Sequence, residues 1–351
     1  MLILYPFAWL YDVVTSVRNF MYNHGLLSSV SYDLPVICIG NITVGGTGKT
    51  PHTEYLIRLL QSEGYKVAVL SRGYKRKTEG FVLATESSTA EEIGDEPLQM
   101  KRKFPKAEVA VCADRREGIS RLVEESNPDV ILLDDAFQHR KVKAGLNIVL
   151  MDSNRPIWKD YVLPAGRLRE NKRGISRADI IIASKLKKEV GDGTARMYFD
   201  KLDIQMNQDI YFTRFSYGQL VGSISDIPLE ELDKYNVLLV TGIANPKPLE
   251  EELSKYVQYS YINYSDHHQF SDADYKQISA LYEQMPEDKP RIIVTTEKDA
   301  ARLDVSKLQV TSNSVYSVPI EVEFLRDEQT VFNKQILDYV RKHSRSSSIH
   351  S

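Results

Sequence analysis

Residues Val36–Pro51 read VICIGNITVGGTGKTP, and this stretch decides the fold. An apolar run breaks into a glycine-rich turn that ends in Gly-Lys-Thr, and a helix-like segment follows at once. A strand, a phosphate-binding loop and a helix N-terminus in this order let backbone N–H groups close around an anion. Thr43 stands where such a loop usually has its first glycine. A glycine-rich turn that binds nothing is the alternative, and the flanking strand and helix disfavour it.

The loop predicts a site for a nucleoside triphosphate with Mg²⁺. Lys49 can reach the β- and γ-phosphates, and the Thr50 hydroxyl can bind the metal ion. The predicted nucleotide-binding residues are Thr43, Val44, Gly45, Gly46, Thr47, Gly48, Lys49 and Thr50.

A second apolar run, Val130–Asp135, ends in two carboxylates and predicts the metal-binding half of the site. An acid one strand away from a phosphate loop holds Mg²⁺ directly or through water. Asp134 and Asp135 would be costly at a buried strand end without a cation, although a solvated pair in a turn is the alternative. The chain lacks a guanine-recognition motif of the right spacing, and Val44 replaces the lysine of the partitioning ATPases. ATP-dependent phosphoryl transfer to a small acceptor remains.

Strand-like runs alternate with helical stretches and predict an α/β fold, a doubly wound and mostly parallel sheet. The predicted strands are Val36–Gly40, Val67–Ser71, Val109–Ala113, Val130–Asp134, Asn147–Met151 and Ile180–Ser184, and the helices are Thr50–Glu63, Glu96–Lys103 and Arg115–Glu125. A second alternation begins at Val237–Val240 and continues through Tyr259–Asn263, Ile292–Thr295 and Val315–Ile320 to a helix at Gln329–Lys342. We therefore predict an N-terminal helix in 1–27, a nucleotide-binding domain in 28–220, a smaller α/β domain in 221–343 and a disordered tail in 344–351.

Composition bounds the class of protein. The chain has 351 residues, of which 42% are hydrophobic and 26% charged, as in ordinary globular proteins. A formal net charge of −3 gives no reason to expect a nucleic-acid partner. Cys38 and Cys112 each lie in an apolar run and are predicted to be buried, reduced thiols.

The segment Met1–Leu27 is rich in apolar and aromatic residues. Leu10, Val13, Val14, Val17 and Met21 form one stripe at helical spacing. Asp12 and Arg18 interrupt the segment well short of the ~20 apolar residues that span a bilayer. Two interpretations stay open on these residues: a helix in the membrane interface, and a helix packed on its own domain.

Beyond the phosphate loop, a series of motifs resembles the tetraacyldisaccharide 4′-kinase family of lipid A biosynthesis over nearly the whole chain. These motifs are Gly40–Pro51, Ser71–Tyr74, Gly94–Pro97, Ala113–Arg115, Asp134–His139, Leu163–Glu170, Asp266–Phe270 and Thr295–Ala300. The family usually has glycine at the positions of Lys75 and Ala136 and proline at the position of Arg167. The change at Arg167 could alter the direction of the Arg169 and Glu170 side chains.

The resemblance implies a kinase that uses ATP and Mg²⁺ to phosphorylate the 4′-hydroxyl of a tetraacylated glucosamine disaccharide 1-phosphate, giving lipid IVA. It implies a two-lobed α/β protein, which we expect to be a monomer, peripheral or monotopic on the cytoplasmic face of the bacterial inner membrane. It favours the interfacial interpretation of Met1–Leu27, since a four-chain lipid does not leave the bilayer. The alternatives are a nucleotide-switched, membrane-associated ATPase acting as a binding protein, and a kinase of a soluble metabolite.

The resemblance also implies residue roles. Asp95 corresponds to the general base and His267 to its partner, with His268 as a rival; on the residues alone, Asp95 could be a helix N-cap. Glu170 is placed with the metal ion. Arg72, Arg115, Arg116 and Arg169 are candidates for binding the phosphates of the substrate or nucleotide, although the first three could equally be solvated surface charges. His139 is a candidate structural residue.

Overall fold

The computed structural model describes residues 4–266 and 268–344, which form two compact units. The first unit runs to Phe215 and resumes at Val322, and the second unit is Ser216–Glu321. The chain therefore leaves the first unit once and returns to it. His267 and all but the first residue of the predicted tail lie outside the described residues.

A largely parallel sheet of nine described strands forms the centre of the first unit, in the order β13-β8-β7-β6-β1-β5-β2-β4-β3. The seven strands from β8 to β4 pair in parallel, and β3 pairs antiparallel with β4. The bounds are β1 Val36–Gly40, β2 Val67–Ser71, β3 Val82–Leu83, β4 Glu108–Val111, β5 Val130–Asp134, β6 Leu146–Asp152, β7 Ile180–Ser184, β8 Asp209–Tyr217 and β13 Ile320–Phe324. β1, which leads into the phosphate loop, lies between β5 and β6.

Helices cover both faces of this sheet, so its central strands are buried throughout, which explains their continuous runs of valine, isoleucine and leucine. The helices of this unit are α1 Tyr5–Asn23, α2 Lys49–Ser62, α3 Ala90–Ile93, α4 Asp95–Lys103, α5 Arg115–Ser126, α6 Asp192–Leu202 and α10 Gln329–His343. Cys38 and Cys112 are free and buried, as predicted.

The second unit has its own parallel sheet and core. Its described strands are β9 Asn236–Thr241, β10 Tyr259–Asn263, β11 Arg291–Thr296 and β12 Val315–Val318, in the order β10-β9-β11-β12. Its helices are α7 Lys247–Leu253, α8 Asp272–Glu283 and α9 Glu297–Ala300. Apolar clusters on the two faces of this sheet show that the unit buries a core of its own.

The α/β class and the parallel sheet are confirmed, whereas the end of the chain differs from the prediction. The predicted final helix of the second domain is α10, and α10 packs in the core of the first unit through Phe332, Ile336 and Val340. The predicted strand Val315–Ile320 ends early, and a separate strand, β13, begins at Ile320 and joins the large sheet. Local periodicity carries no information on which sheet a helix covers.

Helix α1 places its polar side against the protein and its apolar side outward. The partly or fully buried side chains of the helix are Tyr5, Ala8, Tyr11, Asp12, Thr15, Asn19, Met21 and Tyr22, so Met21 of the predicted stripe is not on the exposed side. The exposed side carries Phe7, Trp9, Leu10, Val13, Val14, Val17 and Phe20. Among the described residues, no helix has the length and hydropathy to cross a bilayer.

Candidate active site

The phosphate loop lies between β1 and α2, and Gly48 is the residue that turns the chain into the helix. Gly48 has φ +88° and is the N-cap of α2, which begins at Lys49. A Cβ atom at Gly48 would lie 2.4 Å from the Phe215 ring, so any other residue needs a strained backbone and a shift of that ring. Asn41 is buried and donates from Nδ2 to Thr47 Oγ1 at 2.9 Å, which ties the two ends of the loop together.

Three side chains that the sequence analysis did not assign donate hydrogen bonds to carbonyl groups of the phosphate loop. The Nδ1–H of buried His52 donates to the Gly48 carbonyl at 2.7 Å, and Ser184 Oγ donates to the Thr47 carbonyl at 2.7 Å. Lys185 donates to the Gly46 carbonyl and to Asp152. Ser184 is the last residue of the apolar strand β7 and Lys185 follows it. Their place at the same sheet edge as the loop is the signal that could have identified them.

Asp135 joins the loop lysine to an arginine from a distant segment. Lys49 Nζ lies 3.6 Å from Asp135 Oδ1, and Arg169 donates to both Asp135 oxygens at 2.8 and 3.1 Å. Burial raises the pKa of Asp135, but Lys49 and Arg169 outweigh burial and hold the pKa below its ordinary value. Asp135 also has a left-handed backbone, φ +48°, of the kind that recurs at functional sites.

Asp134, the neighbouring carboxylate, is buried with an unsatisfied oxygen. Its Oδ2 accepts from Ser71 Oγ at 3.2 Å, whereas its Oδ1 has no hydrogen-bond partner among the described residues. Burial, with the nearby charges of Glu96 and Asp135, raises the pKa of Asp134 to about 7. A buried, unsatisfied carboxylate oxygen is costly, and a hard cation such as Mg²⁺ would satisfy it. The residues present therefore fit the predicted metal ion, and the alternative of a solvated turn pair is wrong for Asp134.

The segment before Glu170 crosses the phosphate loop, which explains how Arg169 arrives at the site. Val44 N–H donates to the Arg167 carbonyl and Arg169 N–H to the Ile42 carbonyl, each at 2.7 Å. The contact at Arg167 uses only its carbonyl group, which proline also has. The substitution of arginine for the usual proline thus leaves this contact intact.

Glu170 is buried and held by three donors. Its carboxylate accepts from Asn19 Nδ2 at 2.8 Å, from Gln138 Nε2 at 2.9 Å and from Arg177, which lies 2.9 Å away. Within residues 4–266 and 268–344, no three acidic, histidine or cysteine side chains are gathered as a metal cluster. The assignment of Glu170 to the metal ion stays a prediction.

The four candidate arginines differ in their surroundings. Arg115 is only 2% exposed and donates to the carbonyls of Cys112 and Asp134 at 2.5 and 3.3 Å, so the alternative of a solvated surface charge is wrong for it. Arg116 is exposed and pairs with Asp114 at 2.8 Å. Arg72 is exposed, and Arg169 is committed to Asp135. Their roles toward substrate stay predictions.

Asp95 lies in the first turn of α4, where Gly94 is the N-cap, so the N-cap alternative for Asp95 is wrong. Glu96, the next residue, is close enough to raise the pKa of Asp134, which brings the start of α4 to the end of β5. His267 lies outside the described residues. Its rival His268 pairs with Asp274 at 2.9 Å and stacks on Tyr264.

The two motifs of the second unit meet around the buried carboxylate of Asp299. Gly242 N–H donates to Asp299 Oδ2 at 2.9 Å and Thr296 Oγ1 donates to the same atom at 2.7 Å. Arg302 pairs with Asp299 and also donates to the His268 carbonyl at 3.3 Å. This buried network therefore fixes the loop that carries His268.

A parallel sheet with a glycine-rich loop between its central strand and a helix, and with carboxylates at the end of the adjacent strand, defines a P-loop nucleotide-binding protein. The sequence model of one family, described as tetraacyldisaccharide-1-P 4′-kinase, matches residues 1–341. The chain belongs to this family.

Relatives and a solved structure agree with this assignment. The chain is 48% identical to the tetraacyldisaccharide 4′-kinase of Phocaeicola vulgatus over 98% of its own length and 96% of the relative. It is 46% identical to the protein of that name from Flavobacterium johnsoniae, with 97% of each chain covered. It is also similar to the crystal structure of LpxK from Aquifex aeolicus in complex with ATP, with a TM-score of 0.74, 30% identity and coverage of 95% of this chain and 98% of that one.

Proposed function

We propose that this protein is an ATP-dependent kinase that transfers the γ-phosphoryl group to the 4′-hydroxyl of tetraacyldisaccharide 1-phosphate, giving lipid IVA in lipid A biosynthesis. The family match over residues 1–341 supports the acceptor and the reaction. The observation that carries the chemistry is the phosphate loop with Lys49 facing Asp135 at 3.6 Å. The nucleotide-switched binding protein is not favoured, because the relatives that match nearly the whole chain are named as kinases.

The loop residues hold the ATP phosphates, and positioning with charge neutralisation accounts for most of the catalysis in such transfers. Lys49 and the backbone N–H groups of 45–50 bind the β- and γ-phosphates. Thr50, Asp134 and Asp135 supply the hard oxygen ligands that Mg²⁺ prefers, and the unsatisfied Asp134 Oδ1 supports this assignment. The metal ion would neutralise charge on the transferring phosphoryl group. Arg169, paired with Asp135, fixes the direction of that carboxylate.

The proton of the acceptor hydroxyl goes to Asp95 in this proposal, with His267 orienting the carboxylate. Asp95 lies in the first turn of α4, next to Glu96, whose charge contributes to the raised pKa of Asp134, and this supports its role. The pairing of His268 with Asp274 argues against His268 in this role. Arg72 and Arg115 are kept as candidates for the phosphates of the substrate.

The exposed side of α1 supports attachment to the lipid surface, on the cytoplasmic face of the inner membrane. Phe7, Trp9 and Phe20 are each more than half exposed, at 60%, 69% and 54%. An apolar, aromatic helix face of this kind lies in the headgroup region of a bilayer. The acceptor has its acyl chains in the same layer, so attachment brings the enzyme to its substrate.

Labelled ATP and tetraacyldisaccharide 1-phosphate in mixed detergent micelles test the proposal. The purified protein should transfer label to the lipid, and Lys49→Ala should lower kcat by orders of magnitude because Lys49 acts on the transferring phosphate. Hydrolysis of ATP without any labelled lipid would remove the assigned acceptor. Label on a water-soluble acceptor by a protein lacking residues 1–27 would instead support a kinase of a soluble metabolite.

A further inference from the structure

Asn19 is a polar side chain on the inward side of the helix that we propose to be membrane-bound. Its Nδ2 donates to Glu170 Oε2 at 2.8 Å, and Glu170 is 2% exposed. A buried carboxylate depends on each of its donors, because solvent cannot replace a donor that is lost. The position of Glu170 is therefore set in part by α1, which is 151 residues away in sequence.

Glu170 is connected in turn to the phosphate loop by hydrogen bonds of ordinary length. Gln138 Nε2 donates to Glu170 Oε1 at 2.9 Å and to the Asn41 carbonyl at 2.8 Å. Asn41 donates to Thr47 Oγ1 at 2.9 Å, inside the loop. A continuous series of contacts thus leads from Asn19 through Glu170, Gln138 and Asn41 to the residues that hold the nucleotide.

A second contact from the same side of α1 reaches the neighbouring residue. The Tyr11 hydroxyl donates to the Arg169 carbonyl at 2.9 Å. Arg169 binds both oxygens of Asp135. Two turns of α1 are therefore fixed to two consecutive residues, Arg169 and Glu170, that face the proposed metal-binding and nucleotide-binding groups.

We propose that Asn19 is a positioning residue for phosphoryl transfer, acting through Glu170 on the phosphate loop. The proposal rests on the kinase function proposed above. It gives α1 two separate tasks: its outer side binds lipid, and its inner side orders the site. The two tasks use different residues, so they can be separated by substitution.

Other contacts hold α1 in place when Asn19 is changed. Asn171 donates to Asp12 at 2.9 Å, Arg18 donates to the Gln138 carbonyl at 2.8 Å, and Arg140 donates to the backbone carbonyl of residue 19 at 2.8 Å. None of these contacts uses the Asn19 side chain. A substitution at Asn19 therefore removes the hydrogen bond to Glu170, while the other contacts keep α1 attached to the first unit.

The experiment compares Asn19→Ala and Asn19→Asp with the wild type and with Ser16→Ala, an exposed position on the same helix. Asp has the shape of Asn but no donor, and it brings a second carboxylate to Glu170. We expect kcat on micellar substrate and affinity for a non-hydrolysable ATP analogue with Mg²⁺ each to fall roughly tenfold in Asn19→Ala, and at least as far in Asn19→Asp. KM for the lipid should stay unchanged, and Ser16→Ala should behave as wild type.

A purely structural role for Asn19 predicts a different pattern, with Asn19→Asp equal to wild type because packing is preserved. That result, or an Asn19→Ala variant with the kcat and analogue affinity of Ser16→Ala, would overturn the proposal. If Asn19→Asp melts before the assay temperature, the Ala variant decides. Binding of the ATP analogue needs no acceptor, so loss of binding in the variants supports the positioning role whatever the acceptor is. If the wild type labels no lipid, that result rejects the kinase function alone.

Discussion

At Gly48 the main chain itself restricts the choice of residue to glycine. The φ of +88° costs an L-residue about 1–2 kcal/mol, and a methyl group would meet the Phe215 ring at 2.4 Å. We predict that Gly48→Ala lowers the free energy of unfolding by about 2 kcal/mol and weakens binding of an ATP analogue at least tenfold. Urea unfolding and calorimetric titration measure the two effects.

Gly193 provides the matched control for this substitution. It lies in α6, its φ is outside the left-handed region, and a Cβ atom there would meet no other atom within 4 Å. Gly193→Ala should leave binding unchanged and raise stability slightly, because alanine favours helices. Equal effects of the two substitutions on binding would show that the loop adopts another conformation.

His139 is a half-buried residue with a lowered pKa. Its Nε2 accepts from the Arg115 N–H at 3.4 Å, and burial, reinforced by the charge of Arg115, lowers its pKa from 6.5 to about 4. Between pH 6.5 and 4 the unfolded chain then binds more protons at this residue than the native protein does, so stability falls as pH falls.

In this range His139 contributes a difference of up to about one bound proton between the unfolded and native states, which corresponds to about 1.4 kcal/mol per pH unit. We predict that His139→Gln makes the slope of unfolding free energy against pH shallower by that amount. Unfolding in urea at pH 4.5, 5.5 and 6.5 measures the slope. A variant as steep as the wild type would show that His139 is protonated in the native protein.

At this scale, the sequence predicts residues whose role depends on neighbours in the chain and misses residues whose role depends on distant ones. Lys49, Thr50 and Asp134 belong to local motifs, and they lie where those motifs place them. Asn19 and Gln138 act on Glu170, and these contacts exist only after residues 151 and 32 positions apart in sequence come together. Gln138 lies inside the Asp134–His139 motif, but the sequence around Asn19 does not distinguish it from an ordinary polar residue.

Among the elements, α1 departs most from the usual arrangement of a helix on a globular protein. An apolar stripe normally faces the core, and here Val14 and Val17 are 59% and 54% exposed. We predict that Val14→Asp with Val17→Asp lowers binding to anionic phospholipid vesicles at least tenfold, since charge does not enter the apolar layer. The change in stability should stay within ~0.5 kcal/mol because both sites are exposed.

Vesicle sedimentation measures the binding, and Ser16→Asp provides the control because it adds charge outside the apolar stripe. Activity on micellar substrate should remain in both variants. Vesicle binding by the double variant at the wild-type level would show that another surface attaches the protein. The stripe can be recognised in the sequence, but its direction cannot, since periodicity gives a face without saying what the face contacts.

For the whole molecule, the return of the chain to the first unit makes α10 part of the core of the nucleotide-binding unit. Phe332 is 1% exposed and packs on Phe324 and Tyr211 with ring centroids 4.6 and 5.2 Å apart. The Tyr339 hydroxyl donates to the Val36 carbonyl at 3.1 Å, at the start of β1. A substitution near the end of the sequence should therefore destabilise the nucleotide-binding unit.

We predict that Phe332→Ala lowers the stability of the first unit by about 3–5 kcal/mol. Both tryptophans of the chain, Trp9 and Trp158, belong to this unit, so tryptophan fluorescence in urea follows its unfolding. Leu249→Ala in the core of the second unit is the control and should leave the fluorescence transition in place. If Leu249→Ala shifted the fluorescence transition and Phe332→Ala did not, α10 would belong to the second domain, as the sequence pattern predicts.

The position of α1 also fixes how far the reacting sugar has to move. One side of the helix touches Arg169 and Glu170, and the other carries Phe7, Trp9 and Phe20. A helix with its side chains is about 10–12 Å across. With the aromatic side at the level of the lipid headgroups, Arg169 and Glu170 lie about one helix width above them. A disaccharide can then be phosphorylated while its acyl chains stay in their own leaflet, without extraction from the bilayer.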